Sequence, residues 1–145
     1  DGLLVNGGAG NKSKGIHISA REMARFGHLF LNHGNWDGKQ LISSEWVEKA
    51  TAVQVDRSLP AFSTTSNRGP GTYGFNWWVN GIGPDGIRKW PSAPPGTFAA
   101  LGHNNNVCLV IPDWNMVIVR LGVDGSIPDE KWDLFLKMVS EAVDY

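Results

Sequence analysis

The sequence predicts an α+β fold, an antiparallel sheet flanked by helices, on three observations. Two β-branched apolar runs, Val107 to Ile111 and Met116 to Leu121, are joined by Pro112-Asp113-Trp114-Asn115, whose proline presets φ for a tight turn. They read as a hairpin. Ser19-Ala20-Arg21-Glu22 is a capping box in front of Met23, Phe26, Gly27 and Phe30, which recur at helical spacing. Near the C-terminus, Trp132, Phe135, Leu136, Val139, Ala142 and Val143 form one apolar stripe that needs a sheet to lie on. Helices and strands are segregated along the chain rather than alternating, which separates this pattern from a doubly wound fold.

Taken in order, Asp1 to Gly15 is rich in Gly and Asn with no apolar period, and reads as a loop. Asn11-Lys12-Ser13 within it matches a glycosylation sequon, a triplet that also arises by chance. A first helix is expected from about Ala20 to His33, with Ile18 and Met23 as a hydrophobic staple and Gly34 at the left-handed C′ position. Trp36-Asp37-Gly38-Lys39 is a turn, and Ser43 or Ser44 caps a second helix from Glu45 to about Ala52. Arg57 to Thr72 lacks periodicity and reads as a long surface excursion. Tyr73 to Val79 is aromatic and strand-like, and Asn80-Gly81 with Asp85-Gly86 suggests a hairpin between it and Ile87 to Trp90. Trp78 and Trp90 read as core residues. Pro91 to Gly96 is an irregular crossing, Thr97 to Leu101 a further strand, and Ser126 with Pro128 and Asp129 opens the last helix.

Composition narrows the function. With 145 residues and 41% hydrophobic content, the chain can build one core, so residues 1–145 are expected to form a single domain. Its 13 basic and 14 acidic residues are interspersed, and no single-sign field favours nucleic acid or an anionic membrane. No apolar run approaches the roughly 18 residues of a membrane-spanning helix. The lone Cys108 lies inside an apolar run and reads as a small core residue. His28 and His33 are five apart on one helix, so they lack the i, i+4 geometry of a metal pair, and neither a metal nor a cofactor is implied. His17, beside the capping box, reads as structural.

The candidate site is the polar insert Gly102-His103-Asn104-Asn105-Asn106, which interrupts an otherwise apolar stretch just before the hairpin. An imidazole and three carboxamides at the mouth of a strand could face a ligand. His103 is the candidate catalytic residue, and Gly102, Asn104 and Asn105 are candidate substrate-binding residues.

Gly15 to Gly27, then Leu31 to Ile42 and Glu45-Trp46-Val47, followed by Tyr73 to Trp78 and the Gly102-His103 strand with its hairpin and helix, resemble in order the C-terminal half of serine hydrolases of the β-lactamase and penicillin-binding-protein superfamily. The likeness is to the class C and esterase-like branch. It implies a larger α/β domain with a catalytic groove along one edge strand, a small-molecule or peptide-like acyl substrate, and a periplasmic or secreted setting. Three motifs converge in that family: Ser-x-x-Lys carrying the nucleophile, Tyr-x-Asn or Ser-x-Asn, and Lys-Thr-Gly or His-x-Gly on the edge strand. Here His103-Asn104-Asn105 stands for the third, with Asn105 in place of the usual glycine.

The other two motifs have no counterpart in the chain. No Ser is followed three residues later by Lys, and Tyr73-Gly74-Phe75-Asn76 is one residue too long for Tyr-x-Asn. A serine hydroxyl is weak without a base, so His103 alone cannot supply acyl transfer. Two readings stand. In one, the chain, which does not begin with Met, is the C-terminal segment of a hydrolase of amides or esters whose partner is its missing N-terminal half. The exposed edge this leaves would favour self-association into a homo-oligomer. In the other, the chain is a noncatalytic binding or interaction module.

Overall fold

The computed structural model describes residues 3–6, 14–60, 69–123, 125 and 127–143. Leu3–Asn6 (β1) and Lys14–His17 (β2) pair antiparallel, Leu3 opposite His17 and Asn6 opposite Lys14. This corrects the expectation of a loop over residues 1–15. A two-strand ladder is held by backbone hydrogen bonds, which need no alternation of apolar side chains to form. The sequon at Asn11 lies outside the described residues.

Ala20–Leu31 forms α1, opened by the expected capping box: the Glu22 N–H donates to Ser19 Oγ at 3.3 Å and the Ser19 N–H to Glu22 Oε2 at 2.8 Å. The helix stops two residues short of His33. His33 (φ 51°) and Gly34 (φ 81°) are both left-handed, and the Gly34 N–H returns to the Leu29 carbonyl at 2.8 Å. Gly34 is obligatory there, because a Cβ would be driven into the Ile42 carbonyl. Asn35–Trp36 (β3) and Lys39–Gln40 (β4) follow as a small hairpin across Asp37 (φ 50°) and Gly38 (φ 80°), the two left-handed residues that a type I′ turn requires. Ser44–Ala50 is α2, capped by Ser43, whose hydroxyl accepts from the Trp46 N–H at 3.2 Å.

A four-stranded antiparallel sheet organises the rest: Trp78–Val79 (β5), Phe98–Leu101 (β6), Val107–Ile111 (β7) and Met116–Arg120 (β8), in that spatial order. The expected β7–β8 hairpin is present, turning through Pro112–Trp114 and a left-handed Asn115. The second is present only as a short Ile82–Arg88 bridge around the Asp85-Gly86 turn, closed by the Gly83 N–H to the Ile87 carbonyl at 2.9 Å and the Lys89 N–H to the Gly81 carbonyl at 3.3 Å. Trp78 and Val79 pair with Ala99 and Phe98 instead of with Ile87 to Trp90, and Tyr73 to Trp78 folds back on itself through a Tyr73–Trp78 bridge and a left-handed Asn76 (φ 61°). Asn80, whose side chain is buried, braces the crossing that follows. Its amide Nδ2, whose two hydrogens are shared among three acceptors, lies 2.9, 3.1 and 3.0 Å from the carbonyls of Trp90, Ala93 and Pro94, and its Oδ1 accepts from the Trp90 N–H at 2.8 Å. One carboxamide thereby holds four backbone groups of the crossing.

The two faces of the sheet carry separate cores. On one, Phe30 of α1 and Val47 and Ala50 of α2 pack with Trp77, Val79, Phe98, Cys108 and Val110. On the other, Trp132 and Leu136 pack with Trp90, Ala99, Leu109 and Ile111. These two side chains belong to Asp129–Ala142 (α3), which starts after Pro128; Ser126 lies outside the described residues. Of the expected stripe, Trp132 and Leu136 are buried and Phe135 is exposed. Lys89 and Ser92 moor the start of α3. The Lys89 ammonium lies 3.3 Å from Asp129 Oδ2 and over the rings of Trp78 and Trp90 (4.8 and 5.3 Å), and the Ser92 N–H and hydroxyl donate to the Asp133 carboxylate at 2.7 and 2.9 Å.

Gly27 sets the approach of α1 to the sheet. A Cβ there would sit 2.7 Å from Val117 Cγ1 and 2.8 Å from Cys108 Sγ. Gly→Ala in a helix normally gains about 1 kcal/mol, whereas forcing a methyl into a packed core costs about 1–3 kcal/mol. Gly27→Ala is therefore expected to lower the melting temperature, and Gly27→Leu to lower it further; a more stable Gly27→Ala would contradict this packing. Beneath the same helix, burial pushes the Cys108 thiol up to about 11. At pH 8 only about a thousandth of such a thiol is thiolate, so iodoacetamide should leave native Cys108 unlabelled and modify it only after unfolding. Rapid labelling of the folded protein would show an accessible thiol.

Candidate functional site

The Gly102–Asn106 insert is the connection between β6 and β7. It closes on itself, the Gly102 N–H donating to the Asn106 carbonyl at 2.8 Å and the Asn106 N–H to the His103 carbonyl at 3.2 Å. Residues His103–Asn105 make one 3-10 turn, in which Asn104 (φ 59°) and Asn105 (φ 54°) are left-handed. Left-handed backbone costs an ordinary residue on the order of 1 kcal/mol, and asparagine tolerates it better than most. The run of asparagines therefore has a backbone reason for being there.

Four hydrogen bonds to the last residue of β8 and the segment after it hold the turn. Arg120 Nη1 donates to the carbonyls of Asn104 and Asn105 at 3.0 and 2.9 Å. The Gly122 N–H donates to Asn106 Oδ1 at 2.8 Å, and Asn105 Nδ2 donates to the Gly125 carbonyl at 2.8 Å. Two of the three carboxamides are thus engaged with backbone. His103 is exposed, and among the described residues no group hydrogen-bonds its ring.

Below the turn lies a small cavity of about 90 Å³ whose wall includes Gly102, Asn105, Leu101, Trp90, Asp129 and Trp132. Of the four candidate residues, Gly102 and Asn105 reach this cavity, while His103 and Asn104 lie outside its lining. Past the end of β6, His103-Asn104-Asn105 occupies the turn itself, and the strand positions are filled by Phe98 to Leu101. Asn106, inside the insert but not among the four named candidates, also builds the site, and sequence reasoning missed Arg120. The available signal was a single arginine ending an otherwise apolar strand, at the position that pairs with Val107, the residue directly after the insert.

The outer edge of β6 is only partly covered. β5 pairs with Phe98 and Ala99 alone, so beside Ala100 and Leu101 no further strand runs among the described residues, and His103 follows directly from that edge. At the other side of the sheet, β8 has no further strand among the described residues either. A concavity of about 360 Å³ opens beside β8, lined by Ile118, Val119, Ile127, Trp132 and Phe135.

The remaining histidines do not assemble a second centre. His28 Nε2 lies 2.9 Å from Asn32 Nδ2, with its ring edge-on to Trp36, and His17 and His33 are exposed. Among the described residues no three His, Cys, Asp or Glu side chains converge on one point.

No family model matches the chain. It is 30% identical over 105 residues to an uncharacterised protein of Alkalihalophilus pseudofirmus, covering 72% of this chain and 29% of that protein. It is 31% identical over 91 residues to a 6-aminohexanoate-dimer hydrolase of Paenarthrobacter ureafaciens, covering 57% of this chain and 23% of the hydrolase. The chain thus spans under a third of the length of these curated relatives. Among solved structures, a Bacillus anthracis protein provisionally named a 6-aminohexanoate-dimer hydrolase superposes on 91% of this chain and 30% of its own, with a TM-score of 0.61 and 27% identity. A protein of Bacteroides dorei provisionally named a β-lactamase covers 93% of this chain and 42% of its own, with a TM-score of 0.53 and 12% identity, a likeness of fold alone. The chain has a β-lactamase-like α+β fold and is related to hydrolases of that fold.

Proposed function

We propose that these residues are the C-terminal segment of a β-lactamase-like serine hydrolase acting on an amide or ester, and that they supply the edge strand and the His103 turn of its groove. The observation that carries this reading is the uncovered outer edge of β6 at Ala100 and Leu101, with the exposed His103 leaving directly from it. An extended acyl substrate laid along that edge would meet the backbone groups of β6, as an added strand does. It would also place its carbonyl near a histidine able to donate to the charge that develops in the transition state. Gly102, Asn104 and Asn105 are the substrate-binding candidates in this reading, Gly102 and Asn105 through the cavity they line, with Asn105 Nδ2 already given to the Gly125 carbonyl. The nucleophile and its base come from polypeptide outside these residues, since the chain has no Ser-x-x-Lys.

The second sheet edge supports the same reading. β8 is apolar over Met116 to Val119 and carries neither the proline nor the lysine that commonly protects an edge. An N-terminal half of the fold would pair there and cover the concavity beside Ile118 and Phe135.

Labelling with a fluorophosphonate probe tests the assignment. The 145-residue chain alone should take up no label and hydrolyse neither nitrocefin nor p-nitrophenyl esters, whereas a longer polypeptide containing it should be labelled at a serine outside these residues. A labelled serine within the chain would overturn the division of labour, and an inert longer polypeptide would favour a noncatalytic binding module. The isolated chain should also bind apolar dyes and self-associate through β8; a monomer at high concentration with no dye binding would show that nothing is missing from that edge.

A further inference from the structure

We propose that Arg120 is the positioning residue of the His103 turn, acting from β8 on the far side of β7. The inference rests on the reading of His103 as a groove residue and adds what fixes it in place. In an extended strand successive carbonyls point to opposite sides, whereas in helical backbone of either hand they point the same way. Asn104 and Asn105 are both left-handed, and their carbonyls converge on one guanidinium nitrogen, Arg120 Nη1, at 3.0 and 2.9 Å. The clamp and the backbone conformation thus require each other. Without the cation, two adjacent carbonyls would face each other's negative ends in a conformation that is already unfavourable.

The placement of Arg120 makes the clamp specific. It is the last residue of β8 and pairs across the ladder with Val107, so its side chain starts one strand away from the turn and reaches its underside. The Gly122 and Gly125 contacts to Asn106 and Asn105 come from the chain just beyond it. His103, exposed and without a ring hydrogen bond among the described residues, takes its direction from the backbone on which it sits. Both acceptors are served by the two hydrogens of one NH2 group, whose directions are fixed in the guanidinium plane beside a permanent charge, whereas the donors of an ammonium rotate freely.

Two variants test this: Arg120→Met keeps the apolar stem and removes the donors, and Arg120→Lys keeps the charge without the fixed planar donor pair. In the 145-residue chain, Arg120→Met should shift the His103 Cε1–H resonance, leave those of His17, His28 and His33 in place, and speed amide exchange at Gly102 and Asn106 at least about tenfold. Arg120→Lys should fall between, and millimolar free guanidinium should return the His103 resonance of Arg120→Met toward its original position. In the longer polypeptide, Arg120→Met should lower kcat by about tenfold or more with KM nearly unchanged, the pattern of a displaced transition-state donor. An unmoved His103 resonance with unchanged exchange in Arg120→Met would overturn the proposal. So would four histidine resonances shifting together with a lowered melt, which marks general loosening. If Arg120→Met does not fold, a folded Arg120→Lys with native His103 signals overturns it equally. A His103→Ala protein with full activity, alongside a His103 signal still moved by Arg120→Met, would leave the clamp standing and remove the catalytic reading of His103.

Discussion

The constraint on which this structure depends is that β7 is buried along its whole length, on both faces. A strand with Val107, Leu109 and Ile111 on one side and Cys108 and Val110 on the other cannot face water on either. The sheet must therefore be covered twice. Gly27 lets α1 lie directly on Cys108 and Val117, and Trp132 and Leu136 bring α3 onto Leu109 and Ile111 from the opposite side. The neighbouring strands then inherit distinct tasks. β6 leads out to the candidate groove, and β8 presents an apolar edge and the arginine that reaches back under the turn.

That arrangement explains why the polar insert can exist where it does. Five polar or glycine residues between two apolar strands would be costly if their backbone groups were left unpaired. Here the turn closes on itself through Gly102 and Asn106, and the end of β8 and the chain beyond it add contacts from Arg120, Gly122 and Gly125. With those needs met by other residues, the imidazole of His103 is left facing solvent at the end of a partly uncovered strand. A side chain released from structural work at such a place is what a groove would use. The same economy appears at Asn80, where one buried carboxamide holds four backbone groups of the crossing into β6.

Local interactions were legible in the sequence and distant ones were not. The capping box of α1, the Ser43 cap, the Asp37-Gly38 turn and the β7–β8 hairpin each depend on residues a few positions apart, and all are present. The pairing of Trp78 and Val79 with a strand twenty residues downstream is one such distant contact, and Asn80, which braces the crossing between them, reads in sequence as half of an Asn-Gly turn signal. β1 and β2 carry no apolar period, so their pairing left no trace to read. Both helices were extended too far because caps signal a start more sharply than an end, and His33 as a left-handed residue is not a position that composition marks. At the candidate site, His103 was visible as a polar interruption. Arg120 shows in the sequence only as a lone charge ending an apolar strand, because its partners are backbone carbonyls, which no sequence pattern records.

The central claim, that His103 stands at the groove of a hydrolase as a functional residue, is tested most directly by His103→Ala in the longer polypeptide that carries this chain. In that variant kcat/KM on a reactive ester is expected to fall by roughly tenfold to a thousandfold, the scale of losing one electrostatic donor, while the melting temperature stays nearly constant. Unchanged turnover together with a melting temperature lowered by several degrees would contradict it, and would make His103 a residue that holds a turn.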